Sequence, residues 1–262
     1  MKLNVLLAKA DHSASSYNSM LRDYAAFFQK NQGSFRGEKK TYQARDGFSD
    51  EPSMRGNTPV ITTVDEKWDW FIDNAKPYLQ NVFDIDATNS VGAAKVELVY
   101  EGVSFGKLSA IELMRLKNIL TSSDLEKVFV SIPTRSEGEV WEKATDASYV
   151  NRAIVQTEML KGVKRTTQKR EEILPDPNLA FLKDTSRYAP MKTVVDTVLE
   201  IGDYTQQKFS GEWTQVQRAE LLKRRSGLLG AVIAALKEVN DLESVKSEFD
   251  SDRMLEFLIK GK

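Results

Sequence analysis

The sequence predicts an α+β protein, in which antiparallel β-hairpins are flanked by amphipathic helices and a long helix lies near the C-terminus. Three observations predict this class. Apolar side chains recur at helical spacing over residues 214–239. Residues 94–108 instead alternate apolar and polar side chains around the turn pair Glu101-Gly102. Shorter stretches of both kinds follow one another elsewhere, without an internal repeat or a low-complexity tract. We therefore expect a single α+β domain over residues 1–262.

The N-terminal part of the chain is predicted to contain two helical regions around one extended region. Residues 3–31 carry an amphipathic pattern that indicates one helix or a broken pair of helices. Residues 34–48 are typical of an edge strand or a hairpin arm, and the Pro- and Gly-rich residues 49–59 of a loop. Residues 63–82 form a predicted helix that kinks or ends early at Pro77.

The middle of the chain alternates between the two kinds of structure. After the hairpin, residues 109–125 read as a helix that Ser109 can cap. Residues 128–132 form a short apolar run that we interpret as a strand stopped by Pro133. Residues 138–174 are rich in β-favouring side chains, so we expect extended structure there.

Towards the C-terminus the pattern changes from a connection to strand and then to helix. Residues 175–188 are predicted to be a connection, and residues 191–209 a hairpin or one long strand bent around Gly202. A final short helix is predicted at residues 242–259, after the long one. The loop at 49–59 and the connection at 175–188 are weak candidate domain boundaries.

Composition excludes several classes of function. The chain has no cysteine and one histidine, which removes disulfides, thiolate nucleophiles, sulfur-based zinc sites and paired-histidine motifs. Asp84 and Asp86 are a tidy carboxylate pair without an evident third ligand, and we interpret them as turn and capping residues. His12 has no partner base or nucleophile and is expected to be a polar helix residue. We expect no cofactor and no metal, and the lack of a catalytic signature favours a non-enzymatic protein but leaves an enzyme open.

The apolar pattern predicts neither a membrane span nor a cleaved leader. No run approaches the roughly 18 apolar residues that a spanning helix needs. The N-terminus resembles a short signal peptide, but Asn4 interrupts its apolar stretch and a polar helical pattern follows. We therefore expect a cytoplasmic protein with no membrane partner.

The most informative stretch for function is KGVKRTTQKR, residues 161–170. It holds five basic side chains and no acid in a chain of net charge −1. On a strand, alternate side chains project to opposite faces and can contact phosphates. An alternative needs no ligand, because basic side chains also protect an exposed edge strand against aggregation. The candidates here are Lys161, Lys164, Arg165, Lys169 and Arg170.

Further basic residues lie in three other segments. Lys39 and Lys40 stand near Phe35 and Tyr42, a mixture that suits phosphate contact and base stacking, unless folding buries both rings. Lys208 belongs to the segment KFSG. The long helix adds four more cations, either as a basic surface or as the solvated side of the helix. These four are Arg218, Lys223, Arg224 and Arg225.

Several separated segments resemble an uncharacterised family of actinobacterial and phage hypothetical proteins. They are KLNVLLA, KTYQ, VFDIDAT, the stretch from Val99 to Pro133, and KFSG with the helix after it. In that family the stretch corresponding to residues 161–170 is also extended and rich in Thr, Lys and Arg. The resemblance implies a phage or bacterial cytoplasmic setting and carries no function; the chain departs from the family after Leu242.

Three hypotheses about function follow. The first is a non-enzymatic protein that binds nucleic acid, RNA or single-stranded DNA, through its basic extended segments. The second is a phage or bacterial scaffold that forms a homo-oligomer through its long helix or an open sheet edge. The third is a pocket for a small anionic ligand such as a nucleotide. Its cations would converge from Lys39, Lys164, Arg165 and Lys208.

Overall fold

The computed structural model describes residues 3–174 and 191–240 together with Met254. The helices are α1 (Leu3–Lys30), α2 (Val64–Asn89), α3 (Ala110–Leu120), α4 (Ser123–Val130) and α5 (Gln215–Asn240). The strands are β1 (Arg36–Ala44), β2 (Gly56–Thr58), β3 (Lys95–Tyr100), β4 (Val103–Ser109), β5 (Trp141–Lys143), β6 (Val155–Thr157), β7 (Leu160–Ile173) and β8 (Lys192–Ser210). The α+β class is confirmed. The predicted connection at 175–188 lies outside the described residues, as does the predicted helix at 242–259 except for Met254, which is helical.

The chain divides into two compact units. Unit 1 comprises Met1–Phe28, Trp70–Ile132 and Gln215–Lys262, and unit 2 comprises Gln29–Asp69 and Pro133–Thr214. The weak candidate boundary at 49–59 falls inside unit 2. The single domain over residues 1–262 stays a prediction.

Unit 1 is built from helices and one hairpin. Aromatic rings join α1 to α2, with the ring centroids of Tyr17 and Tyr78 4.5 Å apart and those of Tyr24 and Trp70 5.6 Å apart. A second apolar cluster packs the hairpin β3–β4 against α3 and α5. Its buried members are Leu98, Leu113, Leu120, Val232, Ala235, Leu236 and Val239. A helix and a hairpin therefore each bury one apolar face.

The turn of the hairpin β3–β4 and the helix cap that follows it form as the sequence predicts. Glu101 and Gly102 have φ of +50° and +80°, as a two-residue turn between antiparallel strands requires. Ser109 then starts α3 with a capping box, in which its hydroxyl and the Glu112 side chain satisfy each other's backbone N–H groups.

Unit 2 contains an antiparallel sheet in the order β2-β1-β8-β6-β5, with β7 paired to β8 beside β6. A small apolar cluster packs at one end of this sheet. Its buried members are Val60, Ala144, Tyr149, Ile154 and Phe209. The predicted extended structure over residues 138–174 is confirmed for β5, β6 and β7, whereas residues 144–154 form turns and irregular structure between β5 and β6.

The alternative of one long strand at residues 191–209 is confirmed, since β8 runs unbroken from Lys192 to Ser210. Its pairing with β7 shifts register between Lys164 and Arg165, which leaves Ile201 as an extra residue beside Gly202. A Cβ on Gly202 would lie 2.3 Å from the Tyr42 hydroxyl oxygen. Glycine at this bend therefore lets the Tyr42 ring lie on the strand.

Four predicted elements differ from the structure. The apolar run at 128–132 is not a strand: α4 covers its first part, because Leu125 and Val128 are buried at helical spacing. Helix α2 does not end early at Pro77 but continues to Asn89, where buried Ile85 holds its last turns. These errors arise where tertiary packing decides between local alternatives.

The other two differences concern the N-terminal half. Residues 49–59 are not only a loop, because β2 forms within them and pairs with Glu38, Lys39 and Lys40. Strand β1 consequently lies between β2 and β8 and is not an edge strand over those three residues. Helix α1 is a single helix rather than a broken pair.

A basic β-ribbon and the open sheet face

A two-stranded ribbon extends from the sheet of unit 2. Strand β1 pairs with β8 only as far as Ala44 opposite Gly202. Beyond that point β7 and β8 continue as nine residue pairs, from Arg165↔Glu200 to Ile173↔Lys192. At about 3.4 Å per residue this ribbon is roughly 30 Å long. Within the described chain neither of its outer edges has a neighbouring strand.

Strand pairing places the candidate basic residues on known faces. Residues directly opposite each other in an antiparallel pair share a face, and successive residues alternate. Three cations of β7 therefore lie on the same face as Lys39 of β1. We call this the open face, because Lys39, Thr41 and Gln43 of β1 are exposed on it, while Gly37 at the start of β1 is buried there against Val60. The three cations of β7 on the open face are Lys161, Arg165 and Lys169.

Ion pairs divide the basic run into two groups. Lys164 is held on the opposite face by the Glu51 carboxylate. Arg165 lies 3.2 Å from a carboxylate oxygen of Glu200, its cross-strand neighbour. These two cations are partly neutralised by the protein itself and are weaker candidates for a ligand.

The second group is not paired in this way. Lys161, Lys169 and Arg170 are exposed, and among the described residues none of them forms an ion pair within 4.0 Å. Lys39 is exposed likewise. The candidate cations of β1 and β7 without an ion pair among the described residues are therefore three on the open face and Arg170 on the other face. Lys169 of this group stands directly opposite Asp196 of β8.

Carboxylates at the base of the ribbon are held by Arg45. Its guanidinium lies 2.9 Å from Asp203 and also contacts Glu200. The hydrogen bonds from Arg45 lower the pKa of Asp203 and, together with those from Arg165, the pKa of Glu200. Both carboxylates stay ionised at neutral pH but are already neutralised by arginine, so they oppose an approaching phosphate less than free acids would.

The second predicted basic group does not form a stacking site. Tyr42 is 3% exposed and Phe35 is fully buried, so neither ring is accessible to a base. Lys40 lies 2.7 Å from Glu38, and Lys208 contacts Glu139. In the folded protein both aromatic rings pack in the interior, and both cations form ion pairs with neighbouring carboxylates.

The four cations of the third hypothesis do not converge. Lys39 lies on the open face, whereas Lys208 lies on the opposite face of the same sheet. Lys164 and Arg165 alternate along β7 and pair with different carboxylates. The predicted nucleotide pocket made of these four residues is therefore not present in this arrangement.

The arginines of α5 have structural contacts in unit 1. Arg225 donates to the carbonyl oxygen of Leu120 at 2.7 Å, at the end of α3. Arg218 donates to Ile132 and Val130 carbonyl oxygens after α4, at 3.3 and 3.4 Å. Both satisfy free carbonyls at helix C-termini. Arg225 also lies 3.4 Å from Glu126, so both residues bind neighbouring groups of unit 1 and are not only solvated.

The acidic pair is structural as well, but not as predicted. Asp84 and Asp86 lie inside α2 rather than in a turn, and buried Asp86 accepts from Arg115 Nε at 2.7 Å and Nη2 at 3.0 Å. His12 lies exposed on α1, as expected. Across the residues that the structure describes, no group of three or more His, Cys, Asp or Glu side chains is arranged to hold a metal ion.

No helix in the described part of the chain is long and apolar enough to cross a membrane. The fold thus defines an α+β protein with a two-stranded ribbon that carries four basic and four acidic side chains, three of the basic ones on β7. The family model that matches residues 1–261 is described as a family of unknown function, DUF7873, and the chain belongs to that family. This confirms the resemblance to an uncharacterised family, while an actinobacterial or phage origin stays a prediction. The predicted departure from the family after Leu242 is wrong, because the match continues to residue 261. No curated protein and no solved structure matches the chain.

Proposed function

We propose that this protein is a non-enzymatic nucleic-acid-binding protein that contacts the phosphate backbone through β7 and the open face. The observation that carries the proposal is the alignment of Lys161, Arg165 and Lys169 on one face of a projecting strand. Each is separated from the next by four residues, or about 13 Å along the strand. Such a row can neutralise successive positions of one phosphate backbone.

The shape of this row favours single strands, RNA or single-stranded DNA, over duplex. A flexible single strand can bend to follow a straight line of cations. The phosphates of a rigid duplex wind away from such a line. The Thr167 hydroxyl stands on the same face and adds a hydrogen-bond donor for phosphate or sugar oxygens, whereas the Thr41 and Thr205 hydroxyls on that face bond to each other.

The burial of Phe35 and Tyr42 sharpens the expected binding mode. Neither ring belongs to the open face, and the one ring that the described strands place there, Phe209, is 5% exposed. Base stacking therefore contributes little, and affinity depends mainly on charge. We therefore expect weak sequence preference and a strong dependence on salt. Arg170 contributes from the opposite face of the ribbon.

Fluorescence anisotropy tests the proposal with labelled single-stranded RNA, single-stranded DNA and duplex DNA of one sequence, each titrated across a salt series. The informative variant is Lys161→Glu/Lys169→Glu, because neither lysine has an ion pair to lose among the described residues. We expect single strands to bind more tightly than duplex, and the variant to bind roughly tenfold or more weakly, at about 1 kcal/mol for each lysine that no longer neutralises a phosphate.

Lys95→Glu/Lys223→Glu is the matched control, since it changes the net charge equally at two exposed lysines of unit 1. It should leave the affinity within about twofold of the wild type. Absence of binding at low salt contradicts the proposal, as does an equal loss of affinity in both double variants.

Self-association is a second candidate function, favoured by the exposed apolar side chains of the ribbon. Val194 and Val198 are each 60% exposed on the open side of β8. A two-stranded ribbon is only marginally stable in water, and pairing its edge with a second copy would bury these side chains. Light scattering at several protein concentrations tests this, and Val194→Lys/Val198→Lys should abolish any dimer.

A further inference from the structure

Unit 2 contains a cleft on the sheet face opposite the open face. Its volume is about 590 Å³, within the range of small-ligand sites. The floor is formed by β1 and β8, and the wall by the segment that leads into β5. The charged lining side chains are Arg36, Glu38, Glu139, Lys208 and Glu212, and Trp141 lies beside them.

The end of the cleft is organised around a buried carboxylate. Glu212 is 4% exposed, and its Oε1 accepts from Arg36 Nε at 2.7 Å. Its Oε2 accepts from the Ser210 hydroxyl at 3.1 Å. These two contacts fix the Arg36 guanidinium from one side, although the arginine side chain is 57% exposed.

Arg36 retains unused donors. Among the described residues only its Nε is engaged, and no hydrogen bond involves Nη1 or Nη2. A guanidinium that is held through one nitrogen and free at the other two presents a planar pair of donors. This geometry matches a carboxylate or a phosphate oxygen pair.

The other charged side chains of the cleft determine whether a carboxylate or a phosphate fits better. Glu38 is kept ionised, because hydrogen bonds from Lys40 and Gln206 lower its pKa. Lys208 is already paired with Glu139. The lining thus carries two cations and three carboxylates, and each carboxylate is paired with a cation, Glu38 with Lys40 from outside the lining. A ligand with charges of both signs is complementary to a lining in which acids outnumber bases, whereas a phosphate dianion adds only negative charge.

We propose that this cleft binds a small zwitterion of the amino-acid class. Its carboxylate pairs with the free Arg36 donors, its ammonium group pairs with Glu38, and an apolar or aromatic side chain packs on Trp141. The Trp141 ring is fixed for this contact by the hydrogen bond from its Nε1 to the Ser136 carbonyl oxygen at 2.9 Å. The inference does not depend on nucleic-acid binding, which uses the other face.

Saturation-transfer NMR and calorimetry with three related probes test the inference. L-phenylalanine carries both charges, phenylalaninamide lacks the carboxylate, and N-acetylphenylalanine lacks the ammonium group. Removal of one charge-assisted hydrogen bond corresponds to roughly tenfold or more in affinity. We expect L-phenylalanine to bind at least that much more tightly than either analogue, and more tightly than adenosine monophosphate.

Two substitutions test which residue binds the carboxylate and which binds the ammonium group. Neither leaves a buried charge without its partner. Arg36→Lys keeps a cation beside Glu212 but removes the planar fork, so it should weaken L-phenylalanine roughly tenfold and leave phenylalaninamide unchanged. Glu38→Gln should abolish the preference over N-acetylphenylalanine. Urea denaturation confirms that both variants fold.

Several results would overturn the inference. They are equal binding of all three phenylalanine probes, binding of none at millimolar concentration, tighter binding of adenosine monophosphate, or an unchanged probe preference in both variants. Lys161→Glu/Lys169→Glu separates this site from the nucleic-acid proposal, because it should leave L-phenylalanine binding unaffected. Either proposal can therefore fail while the other stands.

Discussion

Two antiparallel strand pairs, one in each unit, have opposite environments. The hairpin β3–β4 of unit 1 packs Leu98, which is 1% exposed, into a cluster with α3 and α5. The ribbon of β7 and β8 in unit 2 leaves Val194 and Val198 60% exposed and has no described element along its edges. Both pairs use the same backbone hydrogen bonding, so their difference lies in what the side chains contact.

This contrast separates a structural role from a binding role. A hairpin that buries one face contributes the free energy of that burial to folding. A ribbon that buries neither face contributes little to the stability of the rest of the protein. Exposed valines are not specific to the ribbon, since Val103 of β4 is 57% exposed, so the proposed contact with another molecule rests on the charges of β7.

The largest expected effect is a loss of stability when a buried side chain of the hairpin β3–β4 is shortened. Leu98→Ala should lower the free energy of unfolding by about 2–5 kcal/mol, because it removes a fully packed side chain and leaves a cavity. Val194→Ala in the ribbon should change it by less than about 0.5 kcal/mol. Urea denaturation followed by circular dichroism measures both. Similar losses in the two variants would contradict the comparison.

A change at the bend of β8 should have an intermediate effect. Gly202→Ala places a Cβ against the Tyr42 ring, which has to move, at a cost of about 1–3 kcal/mol. We also expect hydrogen exchange to accelerate at the base of the ribbon and to remain unchanged in β3–β4. The double variant Gly202→Ala/Tyr42→Leu should recover part of the stability, and no recovery would argue against this contact.

A smaller effect is expected on the salt dependence of nucleic-acid affinity. It should appear for lysines of β7 and not for a lysine of β3. Lys161→Gln/Lys169→Gln should reduce the slope of log affinity against log salt concentration by about two, one for each phosphate that is no longer neutralised. Lys95→Gln, at the start of β3, should not change the slope. Anisotropy titrations at four or more salt concentrations measure this, and equal slopes for all three proteins would exclude β7 as the binding strand.

The smallest expected effect is a dependence on pH at the base of the ribbon. Arg45 lowers the pKa of Asp203 and Glu200 below their ordinary values of 3.8 and 4.5. A lowered pKa in the folded state means that the stabilisation is present above the ordinary values. It is lost as the pH falls through the lowered ones.

Amide exchange corrected for intrinsic rates measures this effect. Protection of β8 near Asp203 should fall below about pH 4, while protection of Leu98 stays constant. Arg45→Gln should remove this dependence on pH. A fall of equal size in both regions would indicate global acid unfolding instead.

Much of the fold can be predicted because its signals are local. The long helix is predicted at 214–239 and observed at Gln215–Asn240, and the turn at Glu101-Gly102 has the expected positive φ values. The strand prediction at 128–132 is wrong because a short apolar stretch suits a strand and a buried helix equally. Only packing of Leu125 and Val128 decides between them.

Less of the candidate sites can be predicted. The extended form of residues 161–170 follows from the sequence, and so does the alternation of their side chains along β7. The cleft does not, because Arg36 and Glu212 are 176 positions apart and nothing local links them. Trp141 and Glu139 carry no sequence signal that distinguishes them from ordinary surface residues.

The sequence by itself determined the α+β class, most helices and strands, and the concentration of basic residues in one extended stretch. These properties depend on periodicity, turn chemistry and composition, which act over a few neighbouring residues. Only the tertiary structure decided which cations are already paired, which rings are buried, and that a cleft lies opposite the open face. Ion pairs and burial depend on residues brought together from distant positions, so the availability of a side chain is a property of the fold.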